Sequence, residues 1–244
     1  MKLLYLSFLM FAALSLNADE GQIRTIIENA RATVGTDSAL DNLVTMQISG
    51  IIEPAEPELP SANIRLIVRK PCSQRLEVRV DNMIETTLLK GKTGCIIQSK
   101  LDEAAQRPQV RMMTAEEIRR MAFNTRQLFN FYREDFCNNE SVSYEGIEQR
   151  RGQQCHKLVY TYPDGTNTIR YFSVDDKEQV SMITDKGVES VEIGSQTIKG
   201  IRFPRRIEYY HEDKLLHTLI LETIEVNKPL KVGIFTIPAI QQTK

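Results

Sequence analysis

The run from Ala62 to Gln98 alternates apolar and charged residues so regularly that it leaves little choice of fold. Ile64, Leu66 and Val68 interleave with Arg65, Ile67 and Arg69; further on, Leu76, Val78 and Val80 interleave with Arg75, Glu77 and Arg79. Successive side chains of a strand point to opposite faces, so a period of two predicts strands with one apolar and one wet side. Lys70-Pro71, Asp81-Asn82 and Lys90-Gly91-Lys92 interrupt the run at turn-forming residues and fold it into consecutive antiparallel hairpins. The apolar face of such a meander needs a cover, and the completeness of that cover is the functional question.

Upstream, Ile23, Ile26, Ile27, Ala30 and Val34 have the spacing of one helical face, closed by Gly35, and Asp37 is read as the cap of a short turn, DSALDNL. Thr45 to Ile52 predicts a first strand with Met46, Ile48 and Ile52 on one side. EPAEPELPS follows, and its three prolines make it a connecting loop. Asp102 to Arg111 reads as polar and irregular. Thr114-Ala-Glu-Glu117 is a capping box that opens an amphipathic helix ending near Phe131, the natural cover for the apolar face. Strand signals resume with SVSYEGIEQ, HKLVYTY, NTIRYFSVD, QVSMITD and GVESVEI, and a last hairpin turns about Glu212-Asp213-Lys214 before the tail KVGIFTIP. The expected architecture is α+β: one strongly curved antiparallel sheet of about ten or eleven strands, with helices over its open apolar face, in a single domain spanning 19–244.

Composition narrows the partners. With 31 Lys and Arg against 32 Asp and Glu, the formal charge of −1 supplies no basic field for nucleic acid. Met1-Lys2, the apolar stretch Leu3 to Leu16, and Asn17-Ala18 before Asp19-Glu20 predict a cleavable signal peptide over 1–18. No cysteine lies at that junction, so a lipid-anchored N-terminus is not expected. In an oxidising compartment Cys72, Cys95, Cys137 and Cys155 allow three pairings, and sequence neighbourhood favours Cys72–Cys95 with Cys137–Cys155. Each would close a loop of about twenty residues, at roughly 3 kcal/mol apiece. Plain buried thiols are the alternative, and the lack of a C-x-x-C pair argues against zinc or thioredoxin-like chemistry.

Catalytic signals are lacking in the sequence. Cys155 and His156 are adjacent, and strand neighbours point to opposite faces. His211 and His217 flank a hairpin turn and fit solvent-facing positions, and Asp175-Asp176 reads as a turn. Neither metalloprotease, nucleophile-elbow nor phosphate-loop motifs occur, so neither enzyme activity nor a cofactor is expected. What remains is the apolar inner surface. It either leaves a cleft for hydrocarbon or is filled by its own side chains, and periodicity does not choose between them.

Five phrases taken in order carry a family resemblance: ARATVGTDSALDNLVTMQISG, KPCSQRLEV, GQQCHKLVYTYPDGT, GIRFPRRIEYY and VNKPLKVGIFTIP. Behind a signal peptide, this series resembles the LolA/LolB-like superfamily of periplasmic lipoprotein-localisation factors and outer-membrane lipoprotein-sorting proteins. The resemblance covers nearly all of the mature chain, although the chain has no tryptophan, and Cys95 stands where an aromatic is expected after Lys92-Thr93-Gly94. It implies an incomplete antiparallel barrel with a helical lid around an apolar cavity that receives acyl chains. It also implies a periplasmic carrier, soluble and with transient membrane contact only, whose partners are acyl chains of lipoproteins or lipids and proteins of the envelope. The inward set expected to line the cavity is Ile48, Leu66, Val68, Leu76, Val78, Ile84 and Leu88, with Met121, Phe129 and Tyr160. The rival expectation is an envelope sensor or interaction module on the same scaffold, with a filled core and no lipid cargo.

Overall fold

The structure, a computed structural model, describes residues 20–102, 107–134 and 139–238. The expected signal peptide and Cys137 lie outside the described residues. Those residues fall into two compact units, one within Met1–Val34 and Tyr132–Glu192, the other within Gly35–Phe131 and Ile193–Lys244. Both are built mostly of antiparallel strands with a few helices.

The smaller unit contains helix α1 (residues 20–34), whose Ile23, Ile26, Ile27, Ala30 and Val34 are all buried, as their spacing predicts. The larger unit begins with the short helix α2 (Asp37–Asp41). Its cap is Thr36, one residue before the expected Asp37, and the Thr36 side chain accepts from the Ala39 amide. Strands β1 (Thr45–Pro54), β2 (Ala62–Arg69), β3 (Ser73–Val80), β4 (Met83–Lys90), β5 (Thr93–Lys100) and β6 (Gln109–Met112) follow, and then helix α3 (Ala115–Asn130). The smaller unit takes up the chain again with β7 (Ser141–Arg150), β8 (Gln153–Thr161), β9 (Asn167–Ser173), β10 (Gln179–Thr184) and β11 (Val188–Ile193). The larger unit is completed by β12 (Gln196–Ile198), β13 (Ile201–Phe203), β14 (Arg206–His211) and β15 (Lys214–Val226).

Fifteen described strands exceed the ten or eleven expected. Part of the surplus is β6, a four-residue edge strand that begins within the stretch expected to be irregular, and the three-residue pair β12–β13. The tail KVGIFTIP is not a strand; it folds through tight turns, Ile234 N to Lys231 O and Thr236 N to Gly233 O.

In the larger unit the strands pair in the order β6-β5-β4-β3-β2-β1-β15-β14, and in the smaller one β11-β10-β9-β8-β7. Among the described residues no pairing closes either run into a barrel. Register depends on the turns. A three-residue connection at 70–72 pairs Arg69 with Ser73, so even-numbered residues of β2 meet even-numbered residues of β3. The two-residue turn Asp81-Asn82 pairs Val80 with Met83, and from there even meets odd. At the β1–β15 pair a bulge falls between Ser49 and Gly50. A Cβ on Gly50 would sit 2.1 Å from the Ile220 carbonyl oxygen, so only glycine fits that approach.

Cys72, Cys95 and Cys155 are free thiols. The expected Cys72–Cys95 bridge fails on sheet geometry. The Cys72 carbonyl accepts from Gly91 and Cys95 lies opposite Leu88, so all of β4 stands between the two cysteines. Two strand spacings are about 9–10 Å, beyond the roughly 7 Å Cα reach of a disulfide. Cys155 is a buried free thiol in the smaller unit, and the expected Cys137–Cys155 pairing falls on a residue outside those described.

Candidate functional site

One strand face of the larger unit carries the apolar half of the alternation. Cross-strand partners share a face, and the register arranges them in rows. The first row is Val226, Met46, Val68, Gln74, Leu89 and Gly94. The second is Ile224, Ile48, Leu66, Leu76, Thr87 and Ile96. Beyond them lie Ile64 and Val78, and then Ile52, Ala62, Val80 and Met83 towards the strand ends.

Helix α3 meets this face along the first row. Its capping box forms as predicted: Thr114 accepts from the Glu117 amide, and the Glu117 carboxylate accepts from the Thr114 amide at 2.7 Å. Arg111 grips the same carboxylate with two hydrogen bonds of 2.8 and 2.9 Å, which together with the cap holds its pKa down at about 2. Just upstream, Met113 donates its amide to Gly94 and lays its sulfur where a Cβ of Gly94 would be. In mid-helix the buried Thr125 hydroxyl lies 2.8 Å from Gln74 Oε1. At the far end the Phe129 ring sits 5.4 Å below the Lys70 ammonium. The contacts therefore run from β5 to the end of β2, across the strands. Along that row Met46, Val68, Gln74 and Leu89 are buried. One row on, Ile48, Leu66, Leu76 and Ile96 are only half-buried, as are Ile64 and Val78 beyond them.

The ten residues expected to form one inward set are distributed as follows. Ile48, Leu66, Val68, Leu76 and Val78 share this face, and Met121 and Phe129 stand on α3 one turn either side of Thr125. Ile84 and Leu88 do not belong with them. The two-residue turn places Ile84 opposite Arg79 and Leu88 opposite Arg75, on the arginine-bearing face. Tyr160 belongs to the smaller unit. Its hydroxyl donates to the Tyr132 carbonyl at 2.8 Å, Arg170 lies 5.3 Å from its ring, and burial pushes its pKa far up. It is a neutral core residue whose polar end is already used.

The register adds Ile96 and Met83 to the apolar face, beside Ile52 and Ile64, which the alternation had already put on it. Gln74 was a legible clue, being the one polar residue on the apolar parity of β3, and Thr125 is its reason. The smaller unit holds an unforeseen polar cluster. Glu189 is buried and bonded to Arg150 and Arg151, Arg150 lies over Tyr171, and the Tyr171 hydroxyl bonds Glu148.

Cys155 and His156 face opposite sides of β8, as expected; Tyr144 Oη is 3.3 Å from His156 Nδ1. Burial pushes the Cys155 thiol up and the imidazole down, the reverse of a thiolate–imidazolium pair. His211 is exposed, but His217 is half-buried and stacked on Tyr209 at 4.5 Å. Among the described residues no group of three His, Cys, Asp or Glu could hold a metal ion, and no helix is long and apolar enough to cross a membrane.

The open, curved antiparallel sheet is LolA-like in fold, and solved structures bear this out. No family model and no curated protein matches the sequence. A DUF1329 family protein from Desulfovibrio piger superposes with a TM-score of 0.57 at 9% identity, covering 87% of this chain and 96% of that one. A domain assigned to outer-membrane lipoprotein sorting from Vibrio parahaemolyticus gives 0.53 at 10% identity, covering 88% and 97%. A LolA superfamily protein from Nitrosomonas europaea gives 0.53 at 14% identity, also covering 88% and 97%. At these identities the likeness is one of fold.

Proposed function

We propose that the protein is an exported, non-catalytic carrier that holds acyl chains of lipoproteins or lipids against the half-open apolar face of its larger unit. In this reading residues 1–18 direct export to the periplasm, 19–244 act as one functional domain, and α3 is a lid over the bound chain. The observation that carries it is the change in burial from one row to the next: the whole first row is buried, whereas in the second Ile48, Leu66, Leu76 and Ile96 are half-buried between the buried Ile224 and Thr87. Hydrocarbon suits that surface, which carries no charge along its second row. Each buried methylene contributes about 0.8 kcal/mol, against an association cost of about 4–15 kcal/mol. Break-even therefore falls between about five and nineteen methylenes, which favours long acyl chains. The lining set is Ile48, Leu66, Val68, Leu76 and Val78, with Met121 and Phe129 on the lid.

Organic extraction of the purified protein and mass spectrometry of the extract test this directly. Lipid that co-purifies with the wild type and is lost in folded Leu76→Glu and Val78→Glu variants supports the carrier. An empty protein that neither retains nor binds a fluorescent C16 fatty acid ends the proposal, and a stable protein partner in its place would point to an interaction module.

A further inference from the structure

The strand ends of the larger unit remote from α3 carry a second feature, independent of any cargo. Leu59, Met83, Leu101 and Leu216 are exposed by 50, 40, 43 and 38%, and all four lie at this end. Backbone hydrogen bonds tie their neighbourhoods together, Leu101 N to Asn82 O at 2.8 Å and Ala55 N to Leu216 O at 2.9 Å. From β5 to β15 the row crosses five strand intervals, about 24 Å at the usual spacing. Large exposed apolar groups gathered at one edge mark a docking surface. The charge around them is one-sided: Glu53, Glu56, Glu58, Asp81, Asp102, Glu212 and Asp213 are exposed there, against the three bases Arg79, Lys100 and Lys214. Of those bases, Lys214 is already paired with Glu56 at 3.5 Å.

We infer that this acidic, leucine-bearing edge docks a protein partner presenting a cationic amphipathic surface. Complementary charge selects that partner. The same carboxylates work against an anionic bilayer, whose surface potential repels them. An amphipathic helix of about sixteen residues, at 1.5 Å per residue, spans the row.

The test uses the full chain and a fluorescent sixteen-residue peptide with leucines on one helical face and lysines on the other. Anisotropy should report binding that weakens at least tenfold between 50 and 300 mM salt, whereas the leucine–glutamate counterpart and phosphatidylglycerol vesicles do not bind. Two variants of exposed residues, each checked for an unchanged melting curve, should each lose at least tenfold: Glu56→Lys with Glu58→Lys and Asp213→Lys, and Leu59→Ser with Met83→Ser and Leu101→Ser. Glu116→Lys on α3 should bind like the wild type. Binding unchanged by the serine set would reduce the effect to plain charge attraction and overturn the docking surface. Loss of binding in Glu116→Lys, or equal binding of phosphatidylglycerol vesicles, would overturn it as well.

Discussion

In the smaller unit Leu158, Tyr160 and Phe172 share one face of β8–β9 and are each exposed by 1% or less; in the larger, Ile48, Leu66 and Leu76 share one face of β1–β3 and remain half-buried. The alternation that builds both is the same, so alternation does not decide whether a face is filled. Side-chain size and polar tips do. The smaller unit uses aromatics whose outer ends find partners: Tyr160 bonds the Tyr132 carbonyl, and the Tyr132 ring meets Phe172 edge-on at 5.1 Å. The larger unit lines the matching row with the aliphatic residues Ile48, Leu66 and Leu76, which have no polar ends to anchor a neighbour over them. A filled face stabilises its unit; an unfilled one keeps its apolar surface available.

The sharpest way to break this contrast is truncation. Leu158→Ala should cost about 2–5 kcal/mol in urea unfolding, whereas Leu76→Ala should cost less, about 1–2 kcal/mol, because part of that side chain already meets water. Equal losses would mean that both faces are cores. Next comes Glu189→Gln. Glu189 has 4% of its side chain exposed but its arginines 28 and 31%, so a loss of about 2–3 kcal/mol is expected, below that for a fully buried pair. Burial alone would raise the Glu189 pKa, but hydrogen bonds from Arg151 and Arg150 outweigh it and hold it below 4.5. A depressed carboxylate stabilises above its unfolded pKa and loses that stabilisation as pH falls through the folded one. Glu189→Gln should therefore flatten the acid limb of stability below about pH 4.5; an unchanged limb would remove Glu189 from the smaller unit's ledger.

Two smaller effects sharpen the covered end of the larger unit. Thr125→Val leaves Gln74 buried without its hydroxyl partner and should cost about 1–3 kcal/mol. Hydrogen exchange should then rise at Gln74 and Leu89 and stay unchanged at Leu158. Thr114→Ala removes the cap of α3 and should cost about 1 kcal/mol, read as a lower melting point. Should either variant leave α3 as protected as before, its seating on the first row does not depend on the interaction removed.

Much of this was legible in the sequence. The hairpins of β2–β5, the capping box at Thr114, the end of α3 at Phe131 and the turn at Glu212-Asp213 follow from local chemistry, which neighbours alone determine. What escaped depends on counting across turns or on contacts remote in sequence. Ile84 and Leu88 look as inward as Leu76 until the two residues of the Asp81-Asn82 turn are counted. The bulge at Ser49/Gly50 leaves no mark beyond a glycine, and the intervening strand between Cys72 and Cys95 is invisible to loop length. Thr125 and Gln74, 51 positions apart, become partners only when α3 crosses β3.

The Asp81-Asn82 turn also limits how such a chain can diversify. One residue inserted there would hand Leu88 and Cys95 to the apolar side and bring Thr87 and Ile96 to the arginines, turning β4 and β5 inside out at a stroke. Solved structures only 9–14% identical to this chain share its fold, so most letters of such hairpins can change while the fold stays.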